Sequence, residues 1–314
     1  MHSRSSSLVL LFVSAFALSV GTAKAQEAAA PDTVEDVVVT ARRIEGPMWE
    51  VRRGDSVLFL VGAIEGLPRD MEWRTDALLS AVERADRVLF PIQGQASLAD
   101  VGRLVWRIRT LTRQPDGRTS ADYLSPELEA RVQRITGEGP SRKSFMMLSA
   151  DLMEHGGYAR RARPVSEIVR RAARANKKAA EPVGVYRGDE MIDKVLTTPP
   201  EAYLNCMEAA TTAAEAGPGN GAQRVEDWRQ RRVPDVLAST LDQAVDACSY
   251  WSVMGQGERL RDVWRQGMAQ SLSEAGVTVA IVPLRLLAEP NGMLDQLARE
   301  GLDPLGPDWR APQP

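Results

Sequence analysis

The sequence predicts a single α/β domain: a central mixed β-sheet of about five or six strands, flanked by many helices and carrying a large helical insertion. Three observations predict it. Short apolar runs rich in β-branched residues at 57–62, 87–90 and 278–283 read as buried strands. Amphipathic stretches of helical period fill most of the intervening chain. The first two runs enclose one such stretch, and strand, helix, strand is a βαβ unit whose strands run parallel. Hydrophobic residues make up 44% of the 314 residues and charged residues 26%, an ordinary globular balance. No repeat at a solenoid period is present.

The chain opens with an export pattern. Arg4 lies in a short polar start, Leu8 to Val20 is apolar except for Ser14 and Ser19, and Ala23-Lys24-Ala25 offers small residues where a signal peptidase reads them. Residues 1–25 are therefore expected to be a signal peptide cleaved between Ala25 and Gln26; an uncleaved anchor is the alternative, although the apolar run is short for a bilayer span. This predicts a periplasmic protein. Residues 26–46 form a flexible lead-in, rich in Ala and polar residues at first. Inside it, Val34-Glu35-Asp36-Val37-Val38-Val39-Thr40-Ala41-Arg42-Arg43 suits an extended strand. This segment is similar to the TonB box of TonB-dependent receptors, which works by adding a strand to a partner. A TonB-like partner for residues 34–43 and a plain tether are the two readings.

The folded domain is expected over 47–314. Met48–Arg52 and Val57–Gly62 make a hairpin about Arg53-Gly54-Asp55. Trp73 to Asp86 is an amphipathic helix with Leu78, Leu79, Val82 and Ala85 on one side. The strand 87–90 follows. Ser97-Leu98-Ala99-Asp100 resembles a capping box, with Leu104, Val105, Ile108 and Leu111 continuing a helical face. Ser125-Pro126-Glu127 supplies an N-cap, a proline at the first helical position and an acid in the first turn. Helices are expected over 144–154 and 164–178, a strand over 181–186, and helices over 189–197 and 200–216. Gly217-Pro218-Gly219-Asn220-Gly221 reads as a plain loop. Helices at 222–231, 233–247 and 257–274, the strand 278–283 and a helix at 292–300 complete the domain.

Lys+Arg number 39 and Asp+Glu 42, a net charge of −3, so no global basic field points to nucleic acid. Removing residues 1–25 takes away Arg4, Lys24 and no acid, which leaves −5. The charge is unevenly placed: Arg160, Arg161, Arg163, Arg170, Arg171, Arg174, Lys177 and Lys178 stand against one acid, Glu167. That strip reads as a solvated helix face, or as a dock for an anionic envelope polymer or membrane surface. Two cysteines remain, Cys206 and Cys248, an even count that reads in an exported chain as one disulfide, with two buried thiols as the alternative.

Several chemistries lack their residues. The chain has two histidines, His2 and His155, and the first lies in the expected signal peptide, so sites needing two imidazoles are excluded from the mature chain. His155 precedes Gly156-Gly157 at an apparent helix end. Gly137-Glu138-Gly139-Pro140-Ser141-Arg142-Lys143-Ser144 has Arg142 where a phosphate loop needs glycine, and no buried strand precedes it; a loop with a helix cap at Ser141 is expected instead. No G-x-S-x-G, C-x-x-C, H-E-x-x-H or EF-hand loop occurs. No cofactor is expected.

Trp49-Glu50-Val51, the hairpin, Leu60-Val61-Gly62-Ala63-Ile64 and the helix ending Ala85-Asp86-Arg87-Val88-Leu89 resemble the opening of the TraB/GumN family, which is related to the TIKI metalloproteases. The resemblance continues through Pro182-Val183-Gly184-Val185, the Cys206 helix, Trp228 with Arg231-Arg232-Val233-Pro234, Val279–Val282 and Gly292–Gly301, thus covering about 48–302. It implies a TraB/GumN-like α/β scaffold. Members with a complete site resemble a metal-dependent hydrolase, with a Gly-x-x-His after the second strand, an acid after the third, a Glu after the middle strand and a second Gly-x-x-His after the last. In this sequence those places fall on Glu65, Pro91, Tyr186 and Arg285.

A catalytic metal needs about three protein ligands and an open position for water. Of these four residues only Glu65 is a metal ligand of the expected kind, and Arg285 brings a positive charge. The resemblance therefore implies a divergent member: an exported, noncatalytic binding or envelope-assembly factor. The alternative is a metalloprotease-like hydrolase of altered mechanism using Glu65 as base, with Asp70, Glu72 and Asp189 as further carboxylates. The vacated cleft at the strand ends is expected to bring Glu65 and Arg285 together as an ion pair.

Overall fold

The computed structural model describes residues 45–311; the expected signal peptide and the segment 34–43 lie outside them. In chain order the strands and helices are β1 (Met48–Arg53), β2 (Ser56–Ala63), α1 (Asp76–Arg84), β3 (Arg87–Phe90), β4 (Gln93–Gln95), α2 (Leu98–Trp106), α3 (Ile108–Thr112), α4 (Pro126–Thr136), α5 (Phe145–His155), α6 (Val165–Ala175), β5 (Ala179–Pro182) and β6 (Val185–Arg187). Then come α7 (Gly188–Thr197), α8 (Leu204–Ala216), α9 (Pro218–Arg229), α10 (Val233–Ala238), α11 (Thr240–Ala247), α12 (Tyr250–Val253), α13 (Gly257–Ser273), β7 (Gly276–Pro283), α14 (Leu284–Ala288) and α15 (Met293–Arg299).

The main sheet has five strands in the order β1-β2-β7-β3-β5. Only β1 is antiparallel: it pairs with β2 from Met48↔Val61 to Arg53↔Ser56 around a two-residue turn, where Gly54 takes φ 56°. β2, β7, β3 and β5 are parallel, so their C-terminal ends share one edge of the sheet. The predicted βαβ unit is present with parallel strands, but β7 lies between β2 and β3, with Phe59↔Val279 and Val88↔Val279 on its two sides. β7 is buried from Thr278 through Val282. Apart from Thr278 the buried run is apolar, as a central parallel strand requires. β4 and β6 form a separate parallel pair, Gly94↔Tyr186 at its centre.

The local signals at helix starts are well realised. Ser97 and Asp100 complete a reciprocal capping box. Ser125 accepts from Leu128 N–H ahead of Pro126. His155 ends α5 and is exposed. Elsewhere tertiary packing overrides the local reading. The expected strand 181–186 is divided into β5 and β6 at Val183-Gly184. The helix 233–247 breaks at Ser239, which caps α11 by accepting from Asp242 N–H at 3.1 Å. The cap of α5 is Ser144 and not Ser141, whose N–H instead donates to the Ser120 hydroxyl.

The glycine-rich run 217–221 is a correction: α9 begins at Pro218 and takes in Gly219, Asn220 and Gly221. Proline at the first helical position starts it, after Gly217 at φ 75° has ended α8. Gly221 is required for contact and not for bending. A Cβ there would stand 2.7 Å from the Gly156 carbonyl oxygen and 2.8 Å from Gly157 Cα. Helix α9 thus presses backbone to backbone on the Gly156-Gly157 turn after α5.

Cys206 in α8 and Cys248 at the end of α11 form a disulfide. The main core spans both faces of the sheet, with Trp49, Trp228 and Trp264 fully buried; a second cluster joins α4, α5 and α8 around Leu128, Phe145, Leu152 and Met207.

Candidate functional site

The shared C-terminal edge of β2, β7, β3 and β5 is where an open parallel sheet presents ligand-binding side chains. β2, β7 and β3 each hand the chain within two residues to one singled out from the sequence, Glu65, Arg285 and Pro91; the fourth, Tyr186, lies in β6 of the separate pair.

Beyond β2, Gly62 is followed by Ala63, Ile64 and Glu65. Gly62 is a packing residue: a Cβ would come 2.5 Å from Leu284 Cδ1 and 3.1 Å from the Trp49 ring. Its carbonyl accepts from the buried indole N–H of Trp228 at 2.8 Å. The Glu65 carbonyl accepts from Arg224 Nη1 at 2.9 Å. Arg224 and Trp228 are four residues apart on α9, hence on one face, and together they clamp the backbone that leaves β2. The Glu65 side chain is exposed, and its Oε2 accepts from the Tyr158 hydroxyl across 3.5 Å. Tyr158 lies over Gly66, which takes φ 75°. Burial, reinforced by the Glu65 charge and opposed by Arg224, pushes the Tyr158 phenol up to about 12.

Beyond β7, Arg285 stands in the first turn of α14. It does not reach Glu65. Its Nε and Nη2 donate to Asp242 Oδ2 at 3.1 and 2.5 Å, and Nη2 also donates to the Leu237 carbonyl at 2.9 Å. Asp242 Oδ1 is held in turn by Arg224 Nε and Nη2 at 3.0 and 2.7 Å. Only 1% of the Arg224 side chain and 7% of that of Asp242 are exposed, so this is an interior charge network. The expected Glu65–Arg285 ion pair is therefore replaced by a chain of contacts, Glu65 carbonyl to Arg224 to Asp242 to Arg285. The geometry favours this because Asp242 approaches from the capped N-terminus of α11 with both oxygens free for fork-shaped donors. Asp246, one turn on, is pushed up by its own burial, against the pull of Arg285.

The other two positions lie in different surroundings. Pro91 directly follows β3 and has no side-chain donor; the preceding Phe90 ring carries the Arg170 guanidinium 4.5 Å above it. Tyr186, in β6, is 3% exposed and packs edge-on against Tyr250 and Trp251 at 6.1 and 5.8 Å, with the Arg259 guanidinium 4.5 Å from its ring centre. Burial, with the neighbouring Tyr186 phenol, pushes Tyr250 upward. Glu65 and Arg285 thus belong to one network and Tyr186 to an aromatic cluster; no hydrogen bond or ion pair joins the two among the described residues. Arg224 and Asp242 were not singled out by the sequence. The one signal available was an arginine on the face of a helix that also carries Gly221 and Trp228.

The cationic strip at 160–178 is partly engaged. Arg160 pairs with Asp151 and Glu154, Arg171 pairs with Glu167, and Arg170 stacks on Phe90. Arg161, Arg163 and Arg174 are exposed and have no carboxylate partner among the described residues.

The family model described as TraB/PrgY/gumN family matches residues 47–304, most of the chain, and the chain belongs to that family. No curated protein and no solved structure matches. The metal centre that the resemblance implies does not fit the residues present. Pro91 offers no side-chain donor, the Arg285 guanidinium is already spent on Asp242, and Tyr186 is enclosed by rings, which leaves the single carboxylate of Glu65. Among the described residues no three His, Cys, Asp or Glu side chains form a group able to hold a metal ion.

Proposed function

We propose that this TraB/PrgY/gumN-family chain is an exported, noncatalytic binding or envelope-assembly factor, in which the family scaffold is kept and the hydrolytic constellation is replaced by structural contacts. The observation that carries the proposal is the Arg224–Asp242–Arg285 network. At the end of the last strand, where a hydrolase of the kind the resemblance implies has an imidazole, stands a cation locked onto a buried carboxylate. Such a group neither binds a metal nor takes a proton at neutral pH. The Cys206–Cys248 bond supports export, since disulfides persist in oxidising compartments.

The test is direct. Purified chain is assayed for bound metal and for peptide hydrolysis, alongside Glu65→Gln. The expected result is metal well below stoichiometry and no hydrolysis above background. Stoichiometric zinc, manganese or cobalt would overturn the proposal, as would hydrolysis that Glu65→Gln abolishes.

A further inference from the structure

Helix α2 is oriented against expectation. Its apolar residues Leu98, Val101 and Val105 fall on one face, and they point outward: they are 93, 49 and 68% exposed. Trp106 and Ile108 extend the same surface at 86 and 56%. The inward side is narrow: Asp100 is buried in the capping box and Leu104 is half-buried, while the exposed Arg103 pairs with Asp193 of α7. A helix held to its protein by little more than one aspartate, one leucine and one exposed ion pair, with a tryptophan and four aliphatic residues turned to water across α2 and the start of α3, is the arrangement of a helix that lies in a membrane interface.

The surroundings state the charge of that interface. Arg107, Arg109, Arg113, Arg118 and Arg142 are exposed and have no carboxylate partner among the described residues. The last four of them line a cavity of about 670 Å³ between α3 and the start of α5, whose lining includes one acid, Asp116. Gln114 also lines this cavity. It is 7% exposed, and its Nε2 has no hydrogen-bond partner. A buried amide donor without an acceptor is unfavourable, and it sits in the wall that carries the four arginines. Leu111 and Phe145 on the same wall suit the apolar part of an anionic ligand.

We propose that α2 and α3 dock the protein on an anionic bilayer, α2 laying its apolar face among the acyl chains while the arginine-lined cavity beside α3 takes a lipid phosphate. A second copy of the chain is the other candidate occupant of the apolar face. A two-fold contact with the α2 helices parallel would set Arg107, Arg109 and Arg113 of one copy near the same residues of the next, so like charges oppose that arrangement. Anionic headgroups are complementary to the same residues.

The experiment is co-sedimentation of the full chain, with the N-terminus that the cell leaves on it, with vesicles of phosphatidylglycerol in phosphatidylethanolamine at low salt. Phosphatidylcholine vesicles measure the contribution of uncharged lipid. The variants are Val105→Ser with Trp106→Ser, and Arg109→Gln with Arg113→Gln; all four positions are exposed, and circular dichroism checks the fold. Each pair is expected to weaken binding to the anionic vesicles by roughly tenfold or more, from about 1 kcal/mol per basic residue and the loss of inserted apolar area. An Arg161→Gln, Arg163→Gln, Arg174→Gln variant is expected to bind as the parent does. Three results would overturn the proposal: no binding to anionic vesicles, binding unchanged in both pairs, or a concentration-dependent dimer lost in the Trp106 variant without vesicle binding. Inorganic phosphate that protects the cavity arginines from chemical modification, with no vesicle binding, would likewise replace a bilayer with a soluble anion.

Discussion

Arg224 and Arg285 face each other across one carboxylate: the first takes Oδ1 of Asp242 and the second Oδ2. The guanidinium of Arg224 also reaches the carbonyl of Glu65. One aspartate therefore ties the ends of β2 and β7 to α9 and α11. Removing it strands two cations, one fully buried and one 21% exposed. Breaking a buried pair by deleting one partner costs about 3–5 kcal/mol. Asp242→Ala is expected to lose stability on that scale, measured by urea denaturation. Arg285→Met, which removes a partly exposed cation and leaves Asp242 paired with Arg224, is expected to cost clearly less. Equal losses would mean the network does not act through the shared carboxylate.

Gly62 stands three residues before Glu65, at the buried end of β2. Its role is spatial. A methyl group would press on Leu284 at the start of α14 and on Trp49, and neither neighbour is the free end of an exposed side chain. Gly62→Ala is expected to destabilise by about 1–3 kcal/mol, the usual cost of overpacking, and Trp228→Phe by about 1–3 kcal/mol through the unpaired Gly62 carbonyl. The two sites adjoin the same backbone, so the double variant is expected to cost less than the sum of the singles. Denaturation midpoints of all three proteins check this.

Much of the fold was legible because the signals are local. Ser97, Ser125 and Gly54 each act within a few residues, and the strands 57–62, 87–90 and 278–283 announce burial by being apolar except at Arg87 and Thr278, the first residues of the last two. The order of the sheet was not legible, because β7 enters between β2 and β3 from more than 180 residues away. The run 217–221 misled because glycine is a poor helix former in isolation, while here it is needed for backbone contact with Gly156-Gly157. Helix α2 shows the remaining limit. Periodicity reveals that one face is apolar, but not whether that face meets the protein or the solvent. The Arg224–Asp242 pair left no mark for a related reason: a buried ion pair looks like two surface residues until tertiary structure brings them together.

Stability at high pH is expected to report the burial of Tyr158 beside Glu65. The Tyr158 phenol is raised to about 12, chiefly by burial and then by the Glu65 carboxylate, whereas an unfolded tyrosine ionises near 10. Below pH 10 both states hold the proton, and the contribution of Tyr158 is fully present. Between about pH 10 and 12 the unfolded state gives up its proton first, so stability falls as pH rises. Tyr158→Phe is expected to flatten that part of the stability curve without changing its course between pH 6 and 8. An unchanged slope above pH 10 would show that Tyr158 ionises freely.

The Cys206–Cys248 bond joins α8 to the end of α11 across 42 residues of sequence, and α11 carries Asp242 six residues earlier. Loop-closure entropy for that span is worth about 4 kcal/mol. The double variant Cys206→Ala, Cys248→Ala is expected to lose a few kcal/mol in urea denaturation while keeping its circular dichroism spectrum at low denaturant. The same pair tests the compartment. In cells quenched with a membrane-permeant alkylating reagent under denaturing conditions, which expose the buried Cys206, exported chain is expected to resist labelling until reduced, since its two thiols are joined. Chain lacking residues 1–25 would remain in the reducing cytoplasm, take up two equivalents of reagent and unfold at lower urea. Equal labelling of the two forms would remove the support that the disulfide lends to export.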